Sequence, residues 1–358
     1  MGQETASWTR LRAVELSGDA SAVEGPLAGY YNETYVIALP DGFSGGARWK
    51  CREPRRAVLW FDRRCFASED ELLAALAGRV ECVPEMIGVG TATLQRFIDG
   101  RTLGAGHRRG TAIPGSCVDE LVHTFRQLAA ITGGTLRVER RCQREDRPEE
   151  GDSAGFLERL VCFVEERVYQ ENLDSFGALF RSLGIDDDAF KYLRKSVAGL
   201  APRPFCLLHC DLHRENLIVD REGRLWVIDW ELAMLGDPLY DLATHLYLMR
   251  YPGWQAHQVT ARWAATVEAV RTGMSRGAAE DLPVILAFKR AQSVFTDVIR
   301  QALTLRSDAL SVVRAAGQLR QVLERGAEPL GMASVPSRRQ IAASLAAWQR
   351  ASAAGAAA

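Results

Sequence analysis

Residues 207–231, "LLHCDLHRENLIVDREGRLWVIDWE", set His209, Asp211, His213, Asn216 and Asp229 around two short apolar runs. "NLIVD" and "RLWVID" are β-type runs joined by "REG", a hairpin signal. The polar groups therefore fall at strand ends and in the loop ahead of the hairpin. Asp211 and Asn216 share that loop with D-x4-N spacing, and Asp229 ends the second strand. A hairpin brings its ends together, so the spacing predicts Asn216 close to Asp229, with Asp211 beside them.

Such a trio suits phosphoryl transfer. Magnesium takes hard oxygen ligands, commonly one or two carboxylates with substrate phosphates and water. Asp229 and the amide oxygen of Asn216 supply such donors. Asp211 has no metal duty in this arrangement and can take the proton of an attacking hydroxyl. The remaining catalysis is positioning and charge neutralisation. The competing reading is that Asp and Asn merely cap turns, as they commonly do in loops. Context favours chemistry: His209 shortly before Asp211, a hairpin after Asn216, and an apolar strand ending at Asp229 match the catalytic-loop and metal-Asp signature of kinases.

The elements that must hold these groups can be read from pattern. "TYVIALP" and "ARWKCREP" are extended runs separated by the turn cluster "DGFSGG". "SEDELLAALAG" reads as a helix with Ser68 as N-cap and Gly78 at its end. "VPEMIGVG" and "TATLQRFIDG" read as two further strands. After Gly100 the apolar spacing becomes helical in "CVDELVHTFRQLAAI", "AGFLERLVCFVEERVYQENL" and "DDAFKYLRKSVAGL", and again near 257–272, 281–303 and 307–326. The charged run "RVERRCQREDRPEEGDS" predicts a solvated loop, and the alanine-rich end a last helix that frays.

Composition narrows the class. The 358 residues suffice for two lobes, and 47% apolar with 25% charged residues is ordinary for a soluble enzyme. A net charge of −1 and no basic stripe argue against nucleic acid or an anionic membrane. The eight cysteines form no CxxC pair, as expected of buried thiols in a reducing compartment. No signal-peptide or membrane-length apolar run is present, so the expectation is a cytoplasmic protein.

"HCDLHRENLIVD", "VIDWELA" and "LGDPLYDLA", in that order, resemble the hallmarks of the aminoglycoside phosphotransferase family of the kinase-like fold. The resemblance spans about residues 20–330 and is strongest over 207–245. It implies an α+β, bilobal, protein-kinase-like fold: an N-lobe of small antiparallel sheet plus one helix over 1–98, a larger helical C-lobe over 99–335, and a tail over 336–358. It implies Asp211 as catalytic base and Asn216 and Asp229 as magnesium ligands. Asp241 would brace the catalytic loop, His209 would be structural, and His213 would touch the γ-phosphate. Cys210 departs from the usual glycine of the family. The "APE" segment of protein kinases is missing, which favours a small-molecule acceptor over a protein.

On the nucleotide side, "GPLAGYYNETYVI" resembles the phosphate-covering loop, with Gly25, Gly29 and Asn32 at its turn but no GxGxxG. Arg52 in "RWKCREP" matches the phosphate-side cation. Lys50, on the same strand face, is its rival, and either is otherwise a solvated cation. Glu69 matches the helix carboxylate that pairs with that cation, with Glu71 as alternative. "LQRFIDG" resembles the hinge, where the backbone from Gln95 through Phe97 to Ile98 would meet ATP or GTP.

The expected activity is thus ATP- or GTP-dependent, magnesium-assisted phosphorylation of a hydroxyl on a small molecule, an antibiotic of aminoglycoside or nucleoside type. The alternatives are a metabolic kinase for choline, a sugar or homoserine, and a catalytically silent nucleotide-binding module. Intact Asp211, Asn216 and Asp229 count against the last. From residue 101 onward there are 31 Asp plus Glu against 33 Lys plus Arg, which predicts an acceptor of low net charge held by helices near 155–172 and 281–303. A local cluster such as Glu231 with Asp297 would instead suit a polycation. The expected partners are the nucleotide and the acceptor, and the chain is expected to be a monomer or homodimer.

Overall fold

The computed structural model describes residues 7–27, 29, 32–40, 46–55, 64–306 and 308–357. Most of the turn cluster "DGFSGG", and residues 28, 30 and 31 of the expected phosphate-covering loop, lie outside them. The chain divides into two compact units. The first comprises Met1–Arg141, Asp211–Met234 and Leu248–Trp263; the second comprises Cys142–Cys210, Leu235–Tyr247 and Ala264–Ala358.

The first unit is built on a four-stranded antiparallel sheet. Its strands are β1 (Asn32–Ala38), β2 (Arg48–Pro54), β3 (Met86–Val89) and β4 (Ala92–Arg96), in spatial order β1-β2-β4-β3. Strand alternation gives the sheet two faces. Tyr35, Ile37, Trp49, Cys51 and Leu94 bury themselves on one face with Ala13 of a helix, α1 (Trp8–Ser17). That helix was not legible in the polar N-terminal sequence. Ser7 caps it by accepting from the Arg10 N–H, and Gly18 ends it at φ 73.

Helix α2 (Glu69–Leu76) follows the same local logic. Ser68 accepts from the Glu71 N–H, three acids fill the first turn against the helix dipole, and Leu72, Leu73 and Leu76 are buried. A second, three-stranded antiparallel sheet joins Gly100–Thr102 to the hairpin Leu217–Asp220 and Leu225–Val227. Backbone bonds between 65–67 and 139–141 take up part of the charged run that reads as a loop.

The second unit is mainly helical. Its long helices are Ala278–Leu303, Ala309–Gly326 and Arg338–Ala357. The helical pattern over 154–173 is broken: an α-helix ends at Phe163, Val164–Tyr169 widen into π-type turns, and another α-helix starts at Leu173. The alanine-rich end docks through buried Ile341 and Leu345, and Trp348 stacks on Phe176 with ring centroids 5.3 Å apart. Buried Arg203 joins Asp237 and Asp281 at 2.7 and 2.6 Å, a largely buried ion network. All eight cysteines are free thiols. Among the described residues, no helix is long and apolar enough to cross a membrane.

Candidate functional site

The catalytic-loop candidates gather within the first unit. Asn216 is buried, and its Nδ2 donates to Asp211 Oδ2 at 2.9 Å and to the Asp211 carbonyl at 3.0 Å. Its own carbonyl accepts from the Ile228 N–H at 3.0 Å, which closes the base of the hairpin next to Asp229. With the amide nitrogen committed to Asp211, the Asn216 amide oxygen is the end available to a cation. His213 Nδ1 accepts from the Glu215 N–H at 3.1 Å. A neutral imidazole then carries its proton on Nε2, which lies 3.4 Å from Asp211 Oδ2.

Asp229 sits at φ 66, in the left-handed region that non-glycine residues rarely adopt. The residue keeps solvent-accessible surface, yet its carboxyl is crowded. Burial pushes its pKa well above the carboxylate range, and the charges of Glu231, Glu69 and Asp211 push it further, while Lys50 opposes them. Oxygens of Glu69, Asp229 and Glu231 lie within 4.8 Å of one another. Arg52 Nη1 holds Glu69 at 2.6 Å, and Arg64 Nη2 holds Glu231 at 2.6 Å. A divalent cation fits this donor set. The oxygens are hard, and the mutual repulsion that raises Asp229 is what bound positive charge relieves.

The two candidate cations on β2 have different surroundings. Arg52 spans Glu69 and Asp70 at the start of α2. Burial lowers the Lys50 pKa first and Arg52 lowers it further, with Glu69 and Asp229 working the other way. Among the described residues no carboxylate lies in ion-pair range of Lys50. Glu69 also accepts from the Trp230 N–H at 3.0 Å, so one carboxylate touches α2, β2 and the strand end that bears Asp229.

At the expected hinge, the Phe97 N–H is spent on the Arg48 carbonyl at 2.8 Å, and the Arg48 guanidinium lies 4.6 Å from the Phe97 ring centre. Gln95 is buried at the end of β4. Gly29 lies beside the Asn32 carbonyl: a Cβ built on it would stand 3.3 Å away. In the second unit, Asp241 accepts from the N–H groups of His209 and Cys210 at 3.0 and 2.7 Å, immediately before Asp211 in the chain. His209 is fully buried there.

Sequence reasoning did not find the pairing of Arg64 with Glu231. Glu231 carries a faint signal, since it lies on the same strand exit as Asp229. Arg64 carries none, because 167 residues separate the partners.

A model of the phosphotransferase enzyme family matches residues 22–279. Among solved structures, an ethanolamine kinase of Plasmodium vivax is similar at 14% identity and a TM-score of 0.56, over 93% of this chain and 89% of its own. A choline kinase of Streptococcus pneumoniae is similar at 16% identity and a TM-score of 0.52, over 89% and 98%. The aminoglycoside phosphotransferase APH(4)-Ia is similar at 13% identity and a TM-score of 0.51, over 92% and 100%. Likeness at such identities speaks for the fold, and the fold is kinase-like, α+β. With the family model covering well over half of the sequence, the chain belongs to the phosphotransferase enzyme family.

Proposed function

We propose that this phosphotransferase moves the γ-phosphate of a purine nucleoside triphosphate onto a hydroxyl of a small molecule of low net charge, an antibiotic or sugar-like metabolite. The observation that carries the reading is the bond from Asn216 to Asp211 at 2.9 Å, in a loop whose hairpin delivers Asp229 beside it. Asp211 is the general base: its carboxylate is fixed by Asn216 and faces His213 Nε2. Asn216 and Asp229 would hold magnesium, which when bound screens the phosphate charges and relieves the crowding of carboxylates around Asp229. Lys50 suits the phosphate-side cation better than Arg52. Its charge is not consumed by an ion pair among the described residues, whereas Arg52 is committed to Glu69 and Asp70.

Two observations support an acceptor of low charge. Acids and bases are nearly balanced from residue 101 onward, at 31 against 33. Glu231, an acid that a polycation would seek, is already neutralised by Arg64. The test is incubation of the full chain and magnesium ATP or GTP with antibiotics, sugars and amino alcohols, read by mass spectrometry for added phosphate. A neutral or weakly charged product is expected. Efficient phosphorylation of a tetracationic aminoglycoside, with strong inhibition by salt, would overturn the low-charge reading.

A further inference from the structure

Opposite the face packed on α1, the four-stranded sheet carries a cross-strand row of Val36, Lys50, Gln95 and Met86. The row follows from the pairings Val36 with Lys50, Lys50 with Gln95, and Met86 with Gln95. Directly opposed residues of antiparallel strands project to the same side. The charges of Glu69 and Asp229 act on Lys50, and Gln95, its directly opposed neighbour, shares its face of the sheet.

Gln95 is an odd choice for this place. It is 2% exposed, and among the described residues its Nε2 has no hydrogen-bond partner. Buried amides nearly always find one, because an unmet donor forfeits its hydration. Leucine or methionine would fill the same space without that cost. The residue is the penultimate one of β4, which ends at Arg96. A partner supplied by a ligand accounts for a polar side chain here.

We infer that the Gln95 carboxamide reads the N6/N7 edge of adenine and makes the site selective for ATP over GTP. A carboxamide offers a donor and an acceptor side by side. Adenine answers with an N6 donor and an N7 acceptor, a two-bond match. Guanine presents O6 and N7, both acceptors, so the carboxamide oxygen meets another oxygen and one bond is lost. The inference rests on the proposed reading that a purine nucleotide occupies the face carrying Lys50.

Calorimetric titration of the full chain with magnesium ATP, magnesium GTP and magnesium 7-deaza-ATP tests it without knowledge of the acceptor. The wild type is expected to bind ATP about tenfold more tightly than GTP, and to lose about tenfold when N7 is removed. Gln95→Met, close in volume, is expected to weaken ATP binding and to abolish both preferences. Equal wild-type affinity for ATP and GTP overturns the inference, and so does a 7-deaza penalty that survives in Gln95→Met. If that variant does not fold, the three wild-type titrations decide alone. Absence of binding for all three nucleotides overturns the nucleotide site itself, which separates that failure from failure of the purine readout.

Discussion

The backbone N–H of Trp230 donates to Glu69 Oε1 at 3.0 Å, across 161 positions of sequence. The same carboxylate accepts from Arg52, and its side chain is 9% exposed. One acid therefore ties the start of α2 to β2 and to the strand exit where Asp229 adopts its left-handed backbone.

Glu69→Ala removes all of these ties, the bond from the Trp230 N–H included. A stability loss of about 2 kcal/mol is expected, the scale of a hydrogen bond to a charged group, together with weaker magnesium-nucleotide binding. Glu69→Gln keeps an acceptor for Trp230 and should recover part of the stability. Denaturant titration of the three proteins checks the order. Equal stability of Ala and Gln variants would show that the Trp230 contact carries nothing.

Asp211→Asn should lower turnover by about a hundredfold or more, the scale of a general base. Nucleotide affinity should stay close to wild type. Steady-state kinetics on whichever acceptor the screen yields, with calorimetry for the nucleotide, separate the two quantities. Near-normal turnover would remove Asp211 from the base role.

Asp229→Ala takes away the carboxylate proposed to hold magnesium. Wild-type nucleotide binding should weaken when magnesium is chelated, and the variant should lose most of that dependence. An unchanged response to magnesium in the variant would shift the metal to other ligands.

Cys210 sits at φ 65, where its Cβ is crowded by the backbone. Glycine adopts this conformation freely but gives up a buried side chain and adds unfolded-state entropy. Cys210→Gly should therefore stay within about 1 kcal/mol of wild type. A β-branched residue suits the left-handed region worst, so Cys210→Val should cost about 2 kcal/mol or more. Thermal melts of both variants check this, and a stable Val variant would refute it.

Asp220 closes the turn of the hairpin between Asn216 and Asp229. Its Oδ1 accepts from the Glu222 and Arg224 N–H groups at 3.0 and 2.9 Å, and its Oδ2 accepts from Trp226 Nε1 at 2.7 Å. Burial works to raise its pKa, but the bonds from Trp226 and Arg224 outweigh it and hold the carboxyl below its ordinary range. A depressed folded pKa adds stability above the unfolded value of about 3.9, and that stability is lost as pH falls through the folded value. The stability gap between wild type and Asp220→Ala should be full near neutral pH and narrow in acid. A gap independent of pH, measured by urea titration, would discount the charge.

The sequence by itself determined the local features. Ser68 and the acids after it specify the start of α2 through bonds that span three residues. The spacing around Asp211, Asn216 and the "REG" turn specifies a loop and a hairpin, because both are closed by near neighbours in the chain. Only the tertiary structure decided how charges are shared. Whether Arg52 or Lys50 meets Glu69 depends on where α2 docks against β2, and Arg64 meets Glu231 only once distant segments have closed on one another. Helix α1 lacked a strong apolar stripe; its Ala13 is buried because the sheet supplies the opposite wall. The break over Val164–Tyr169 was likewise hidden, since one apolar pattern continues through α- and π-type turns. Local bonds repeat a short code that the chain carries with it, whereas long-range pairs exist only after burial has fixed which groups share a low-dielectric space.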